Sequence, residues 1–174
     1  MREWVPVSTS PKGRLALTAV RAFGTQLFDE VTVGDLAAKA GVTTGALYHH
    51  FDNKLGLYVF VRRDVERRLL DRMEGAAGAT SGPSAAIRAA LLVGCDFVVR
   101  QDVLRLLGEP PRGTSDDPLV DFRTTLCQPA PPPVGLVIAA GWRAALGFVA
   151  DGGLVDQARN ALLAVHVRVD GEDG

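Results

Sequence analysis

Two short helical periods of hydrophobic residues, separated by a glycine, form the most regular pattern in the chain. The first period places Leu36 and Ala40 on one face and predicts a helix over Thr32–Ala40. Thr32 and Asp35 have the spacing of a capping box, with Asp in place of the usual Glu. We therefore expect this helix to begin at Thr32 and to pack one apolar face against a core.

The second period predicts a helix over Thr44–Phe51, with Ala46, Leu47 and Phe51 facing the core. Gly41 is suited to the positive φ that ends the first helix, and Thr43 is a good N-cap for the second. A turn of about four residues between two helices is typical of a helix-turn-helix. The outward positions carry small, hydroxyl-bearing or aromatic side chains, namely Thr44, Gly45, Tyr48 and His49.

Helical periods continue along the rest of the chain and predict an all-α fold. The first helix covers Lys12 to about Gln26, and a long fourth helix, capped by Asn53, runs to about Gly75. Four arginines of the fourth helix are expected to face solvent: Arg62, Arg63, Arg67 and Arg68. Later helices are expected over about 84–101, 103–107, 119–127, 134–150 and 154–167.

Composition divides the chain into four parts, and the main boundary is the glycine- and serine-rich stretch 75–84. The proline-rich stretch 129–133 predicts a stiff connector, and strand-like alternation is confined to 166–169. The four parts are a flexible arm (1–11), a three-helix unit with the helix-turn-helix (12–52), a connecting helix (53–75) and a C-terminal helical domain (76–174).

Charge separates the two halves more clearly than it characterises the whole. The chain carries a net charge of −1, which does not by itself point to nucleic acid. Up to Gly75 there are 11 Lys and Arg against 9 Asp and Glu, whereas the remainder has 8 against 11. This asymmetry favours a nucleic-acid-facing N-terminal half.

Several kinds of chemistry lack a sequence signal, and we expect no catalytic residue, cofactor or metal. Cys95 and Cys127 form no CxxC unit, and His49 and His50 point about 100° apart on a helix, so they do not chelate one ion. No catalytic or phosphate-binding motif is found. The N-terminus lacks a signal-peptide core, and the apolar stretch 134–150 contains Arg143, which favours a buried helix over a membrane span. We expect a cytoplasmic protein with no membrane contact.

The run from Val42 to Phe51 resembles the recognition helix of the TetR (tetracycline-repressor-like) transcription regulators, and the similarity covers roughly residues 12–60. Two positions depart from the family pattern: Leu27 replaces a common glycine, and Gly34 replaces a polar residue. The resemblance implies a homodimer that binds a palindromic site on double-stranded DNA. The positions that match family contacts are Thr43, Thr44, Gly45, Tyr48, His49 and Lys54.

For the C-terminal half, the resemblance implies a small-molecule effector, which we expect to be apolar or aromatic. The candidate pocket residues are Leu91, Phe97, Gln101, Leu104, Phe122, Trp142 and Phe148. The helix over 134–150 is apolar nearly all round, so it must be buried on every side. We therefore expect the last two helices to form the dimer interface.

The function predicted from the sequence is a ligand-responsive DNA-binding transcription regulator, specifically a repressor that an effector releases from its operator. One alternative is a regulator of the same fold whose C-terminal domain only dimerises and binds no small molecule. The other is an enzyme, which the absence of a nucleophile–base pair or metal constellation in the sequence disfavours.

Overall fold

The computed structural model describes residues 9–128 and 133–165, which form nine α-helices and one turn of 3₁₀ helix, without a strand. The 3₁₀ turn is Phe28–Glu30. In chain order the α-helices are α1 (Pro11–Thr25), α2 (Val33–Ala40), α3 (Thr44–Phe51), α4 (Lys54–Gly78), α5 (Pro83–Gln101), α6 (Leu104–Gly108), α7 (Pro118–Leu126), α8 (Pro133–Ala150) and α9 (Val155–Ala164).

The predicted all-α fold is confirmed, with an N-terminal helix-turn-helix followed by a helical C-terminal region. The bounds of α3 agree with the prediction, and the remaining helices end within a few residues of the expected positions. The 3₁₀ turn was not predicted. The predicted arm over residues 1–8, the connector over 129–132 and the tail over 166–169 lie outside the described residues.

Side-chain caps explain where the first four helices begin. Ser10, Thr32, Thr43 and Asn53 each accept a hydrogen bond from the backbone N–H three residues later, at 3.0, 3.1, 3.3 and 2.8 Å. Such caps satisfy N–H groups that have no partner within the helix. Gly41 ends α2 with a φ of 64°, a conformation that glycine adopts without strain.

Helices α1 and α3 pack against α4, α2 packs against α1 and α3, and α4 also runs along α5. Helix α8 lies against α6, α7 and α9. A single hydrophobic core extends from Leu15 in α1 to Leu162 in α9, so it crosses the composition break at 75–84. The two halves also approach closely at Gly24, where an added Cβ would lie 2.2 Å from the carbonyl oxygen of Asp102.

Arg62 departs from the expectation that four arginines of the long helix α4 face solvent. Its side chain is buried, with 2% of its surface exposed. The guanidinium donates to Glu66 Oε1 at 2.8 Å and to the Tyr58 hydroxyl at 2.8 Å. It also donates to the carbonyl oxygens of Leu106 and Glu109, at the end of α6. The prediction was wrong for Arg62 because this cation joins α4 to the C-terminal half.

Candidate nucleic-acid interface

Helix α3 presents one polar face to solvent and one apolar face to the core. Leu47 and Phe51 are buried, whereas 52% of the surface of Tyr48 is exposed. Five of the six residues predicted to contact DNA lie together on the exposed side, at the start and middle of the helix: Thr43, Thr44, Gly45, Tyr48 and His49. The structure therefore brings these five together on one outward surface.

The turn before α3 is held from α1 by Arg14. Its Nε donates to the carbonyl oxygen of Ala40 at 3.0 Å, and its Nη2 donates to that of Gly41 at 3.4 Å. These carbonyls end α2, where a cation also interacts favourably with the helix dipole. Arg14 therefore joins α1 to the end of α2, just before the turn that leads to α3, a role that sequence spacing did not reveal.

Gly45 has no structural requirement inside this protein. An added Cβ would meet only the Thr43 hydroxyl, at an ordinary contact distance of 3.7 Å. The residue lies inside a helix, where glycine is less favourable than alanine by about 1 kcal/mol. The backbone of Gly45 is thus exposed to solvent without a side chain over it, so another molecule can approach the helix closely at this position.

Lys54 lies differently from the other five residues and is only partly exposed. Its Nζ donates to the carbonyl oxygens of Phe28 and Val31, both at 2.9 Å, and lies 4.2 Å from the centre of the Phe28 ring. Lys54 lies in the first turn of α4, where a cation is unfavourable for the helix dipole. Two carbonyl acceptors and an aromatic face compensate for this position.

Two histidines end α3, with ring centres 4.9 Å apart in a T-shaped arrangement. His49 is exposed, whereas His50 is partly buried near the Phe51 ring, at 6.3 Å. Within residues 9–128 and 133–165, no group of three or more His, Cys, Asp or Glu side chains is placed to hold a metal ion. His49 therefore lies on the exposed face of α3, whereas His50 packs partly against the core side of the helix.

Residues 17–59, which include α2, α3 and the start of α4, match the family model for bacterial regulatory proteins of the tetR family. The helix-turn-helix segment of this chain is thus of the TetR type. The chain is 30% identical over 96 residues to the probable acrEF/envCD operon repressor of Escherichia coli K12. That match covers 52% of this chain and 43% of the repressor, so the chain spans less than half the length of this curated relative.

Solved structures share the whole helical architecture. A putative tetR family transcription regulator from Shewanella sp. PV-4 superposes with a TM-score of 0.67 at 18% identity, over 89% of this chain and 95% of that one. AibR, solved in complex with isovaleryl coenzyme A and operator DNA, superposes with a TM-score of 0.64 at 18% identity, over 91% and 98%. At these identities the likeness shows the fold, which therefore includes the C-terminal helices.

In this chain the seven candidate effector residues do not surround one space. Three are buried in the core, namely Leu91, Phe97 and Trp142. Two are partly buried against it, namely Leu104 and Phe122. Gln101 is exposed at the end of α5, and Phe148 is 46% exposed on the outer side of α8. The Trp142 indole fills the centre, where its Nε1 donates to the Leu91 carbonyl oxygen at 3.1 Å.

Two buried arginines, Arg123 and Arg143, lie near each other in α7 and α8, and among the described residues only Arg143 forms an ion pair. Arg143 binds both carboxylate oxygens of Asp117, at 2.7 and 2.8 Å. Burial raises the pKa of Asp117, but the hydrogen bond and charge of Arg143 outweigh this effect and lower it overall. The Arg123 guanidinium lies 4.6 Å from the Trp142 ring centre. Burial and the neighbouring Arg143 lower the pKa of Arg123 to about 9.

The outer surface of α8 and α9 is apolar. Its large exposed side chains are Leu136, Val137, Phe148, Leu154, Leu163 and Val165. A groove of about 450 Å³ runs between the two helices, lined by small residues that include Gly141, Ala144 and Ala161. By length and composition α8 also meets the criterion for a membrane span, with a mean hydropathy of 1.6, as the core helix of a soluble protein can. Arg143, paired with Asp117, anchors this helix to α7.

Proposed function

We propose that this chain is a homodimeric, ligand-responsive transcription regulator, a cytoplasmic repressor that an effector releases from a palindromic operator. The observation that carries this proposal is the exposed face of α3, within the segment that matches the tetR family model. The similarity to a probable operon repressor supports repression over activation.

The proposed contacts to double-stranded DNA are made by the first half of α3. In a helix-turn-helix, the N-terminal residues of the second helix reach base edges in the major groove. Thr43 and Thr44 bring hydroxyls and helix-start N–H groups that suit phosphates and bases. Gly45 permits close approach of the helix, and Tyr48 and His49 extend from the same side. Lys54 is assigned here to the scaffold because its ammonium group already has two carbonyl acceptors.

A selection from random double-stranded DNA with the full chain tests this function. We expect enrichment of a palindromic site whose half-sites lie about one helical turn, 34–36 Å, or somewhat more apart, because two α3 helices enter successive major grooves. Binding of the selected site should weaken as salt rises. Recovery of no specific sequence, or of a non-palindromic one, would contradict the proposal.

The proposed dimer joins the apolar surfaces of α8 and α9 from two copies of the chain. A contiguous patch of this kind marks an interaction site. Small residues along the groove permit two helices to approach closely, which suits a four-helix bundle. A second copy satisfies the symmetry that a palindromic operator requires.

Replacing Gly141, which is exposed and lines the groove, with Glu tests this interface, and Gly75→Glu at an exposed and open position of α4 is the matched control. We expect Gly141→Glu to give monomers by light scattering and to lose binding to the palindromic site. The control should remain dimeric. If Gly141→Glu is also a stable dimer, the interface lies elsewhere.

The effector is proposed to act from the C-terminal half. AibR, a solved structure of the same fold, was crystallised with isovaleryl coenzyme A and operator DNA, which supports a small-molecule effector for this chain. An effector shifts the affinity for DNA only if it binds the two conformations of the dimer differently. A regulator that only dimerises through this half would show no ligand-dependent change in melting temperature or DNA affinity.

A further inference from the structure

The C-terminal half contains a buried cation whose hydrogen-bonding groups lack acceptors. Arg123 of α7 exposes only 2% of its surface. Its Nη1 donates to the Leu119 carbonyl oxygen at 3.2 Å, one turn earlier on the same helix. Its Nε and Nη2 are buried and have no hydrogen-bond partner among the described residues. Three N–H groups of this guanidinium are therefore unsatisfied in the core.

The unsatisfied atoms form one edge of the planar group. The Nε–H and one Nη2–H of an arginine are parallel, and together they match the two oxygens of a carboxylate. Neighbouring Arg143 shows a two-pronged pairing through the other edge of its guanidinium, where both Nη atoms bind Asp117, and only its Nε is left without a partner among the described residues. Arg123 has the same chemical requirement but no carboxylate to meet it.

Asp117 does not serve both arginines. Its Oδ1 accepts from Arg143 and from the Leu119 backbone N–H, and its Oδ2 lies 2.7 Å from Arg143 Nη1. With two arginines and one aspartate, the cluster has an excess of one positive charge. A buried charge without an ionic partner is unfavourable, so a carboxylate brought to the unsatisfied edge of Arg123 would be strongly bound.

We infer that Arg123 binds the carboxylate of a small-molecule ligand within the C-terminal half. The ligand has a single acid group, since one guanidinium edge is unsatisfied, and an apolar body, since Leu119, Cys127 and Trp142 around it are buried and apolar. This inference refines the proposed effector and rests on the proposed function only for its consequence on DNA binding.

The position of the Trp142 ring supplies a direct readout. The chain has two tryptophans, so a Trp4→Phe variant leaves Trp142 as the only one. A carboxylate that pairs with Arg123 changes the electric field at the indole, since the guanidinium lies 4.6 Å from its centre. Titration of the full-length Trp4→Phe protein with monocarboxylates from acetate to decanoate, and with phenylacetate, tests for saturable binding. Octanamide and sulfate serve as uncharged and inorganic controls.

We expect at least one carboxylate, with octanoate as the reference probe, to shift Trp142 emission saturably and to raise the melting temperature. Octanamide and sulfate should do neither. Arg123→Met should weaken carboxylate binding about tenfold or more, the effect of losing hydrogen bonds to a charged group. The matched control is Arg105→Met, because Arg105 has its own partner in Asp151. This control should bind as the parent protein does.

Without ligand, Arg123→Met should melt at the same temperature as the parent or higher, because an unpaired buried charge is removed. If Arg123→Met fails to fold, Arg123→Lys keeps the charge but loses the two-pronged edge, and it should also bind the carboxylate more weakly. Equal responses to octanoate and octanamide, unchanged affinity in these variants, or no response to any carboxylate would overturn the inference.

The same titration with the selected DNA present separates this inference from the proposed function. If carboxylates bind at Arg123 but the protein binds no specific DNA, the carboxylate site stands and the proposed function as a transcription regulator is contradicted. If the protein binds specific DNA but responds to no carboxylate, the proposed function stands and the carboxylate site is contradicted.

Discussion

The segment from α1 to α3 and the segment from α5 to α9 differ in the polar bonds that join their helices. In the first, Thr32 and Thr43 cap helices through backbone groups three residues away, and Arg14 joins α1 to the end of α2 through the carbonyl oxygens of Ala40 and Gly41. In the second, the Arg143–Asp117 pair joins two side chains that are 26 residues apart. Local polar bonds define where helices begin, whereas long-range ones define how helices are placed.

Arg62 gives the largest expected effect of a long-range polar bond, because it joins α4 to the end of α6. Arg62→Ala leaves Glu66 charged and buried, together with the Tyr58 hydroxyl and the carbonyl oxygens of Leu106 and Glu109 without their donor. Removing one partner of a buried pair costs about 3–5 kcal/mol. Urea denaturation should show a loss of this size.

Arg63, the next residue, is exposed and provides the control for that measurement. Arg63→Ala should change the free energy of unfolding by no more than about 0.5 kcal/mol. A double variant, Arg62→Met with Glu66→Leu, should recover much of the stability because no unpaired charge remains. Similar small losses for Arg62→Ala and Arg63→Ala would show that the buried network contributes little.

Lys54 tests whether a cation beside the helix-turn-helix serves the fold or the DNA. Lys54→Met removes two charge-assisted hydrogen bonds to the carbonyls of Phe28 and Val31. We expect the free energy of unfolding to fall by about 1.5–3 kcal/mol. The slope of log affinity against log salt for the selected DNA should stay the same, since a scaffold cation releases no counterions. A shallower slope with unchanged stability would return Lys54 to the DNA contacts predicted from the sequence.

Much of the first segment could be predicted because its signals are local. Gly41, Thr43 and Asn53 each mark a helix end through bonds within a few residues, and the bounds of α3 follow from its apolar spacing. The buried position of Arg62 could not be predicted in this way. Arg62 and Arg63 are neighbouring arginines in the same helix. They differ because the chain around Leu106 and Glu109 packs against Arg62 and accepts its hydrogen bonds.

In the C-terminal half too, the sequence predicted only part of which candidate residues are buried. Apolar composition predicted that Leu91 and Trp142 belong inside, which they do, but it also placed Phe148 inside with them. Which side of α8 faces the core is decided by its contacts with α6, α7 and α9, and spacing does not reveal these in a helix that is apolar nearly all round. No sequence signal separates Arg123 from the other arginines of this half, because its lack of partners depends on the packing around it.

A substitution of Tyr48 tests directly whether the exposed face of α3 binds DNA. Tyr48→Ala removes an exposed side chain and should leave the urea denaturation curve nearly unchanged. Affinity for the selected DNA should fall about tenfold, the usual size for one lost polar contact of about 1.4 kcal/mol. Arg100→Ala, which removes an exposed charge from the C-terminal half, should leave affinity unchanged in the same gel-shift titration. Equal effects of the two variants would mean that this face does not recognise DNA.

A substitution of Gly45 gives the smallest expected effect. It should raise the stability of the protein and lower its affinity for DNA. Gly45→Ala adds a methyl group that meets only the Thr43 hydroxyl at 3.7 Å, so the fold accommodates it without strain. The helix should become more stable by about 1 kcal/mol, because alanine is the better helix former. If DNA lies against this backbone, the same methyl group holds the helix away from it and weakens binding. Gly75→Ala, at another open and exposed helical position, should show the gain in stability without the loss of affinity. A stabilised Gly45→Ala protein with undiminished DNA affinity would show that the bare backbone of α3 is not where the DNA approaches.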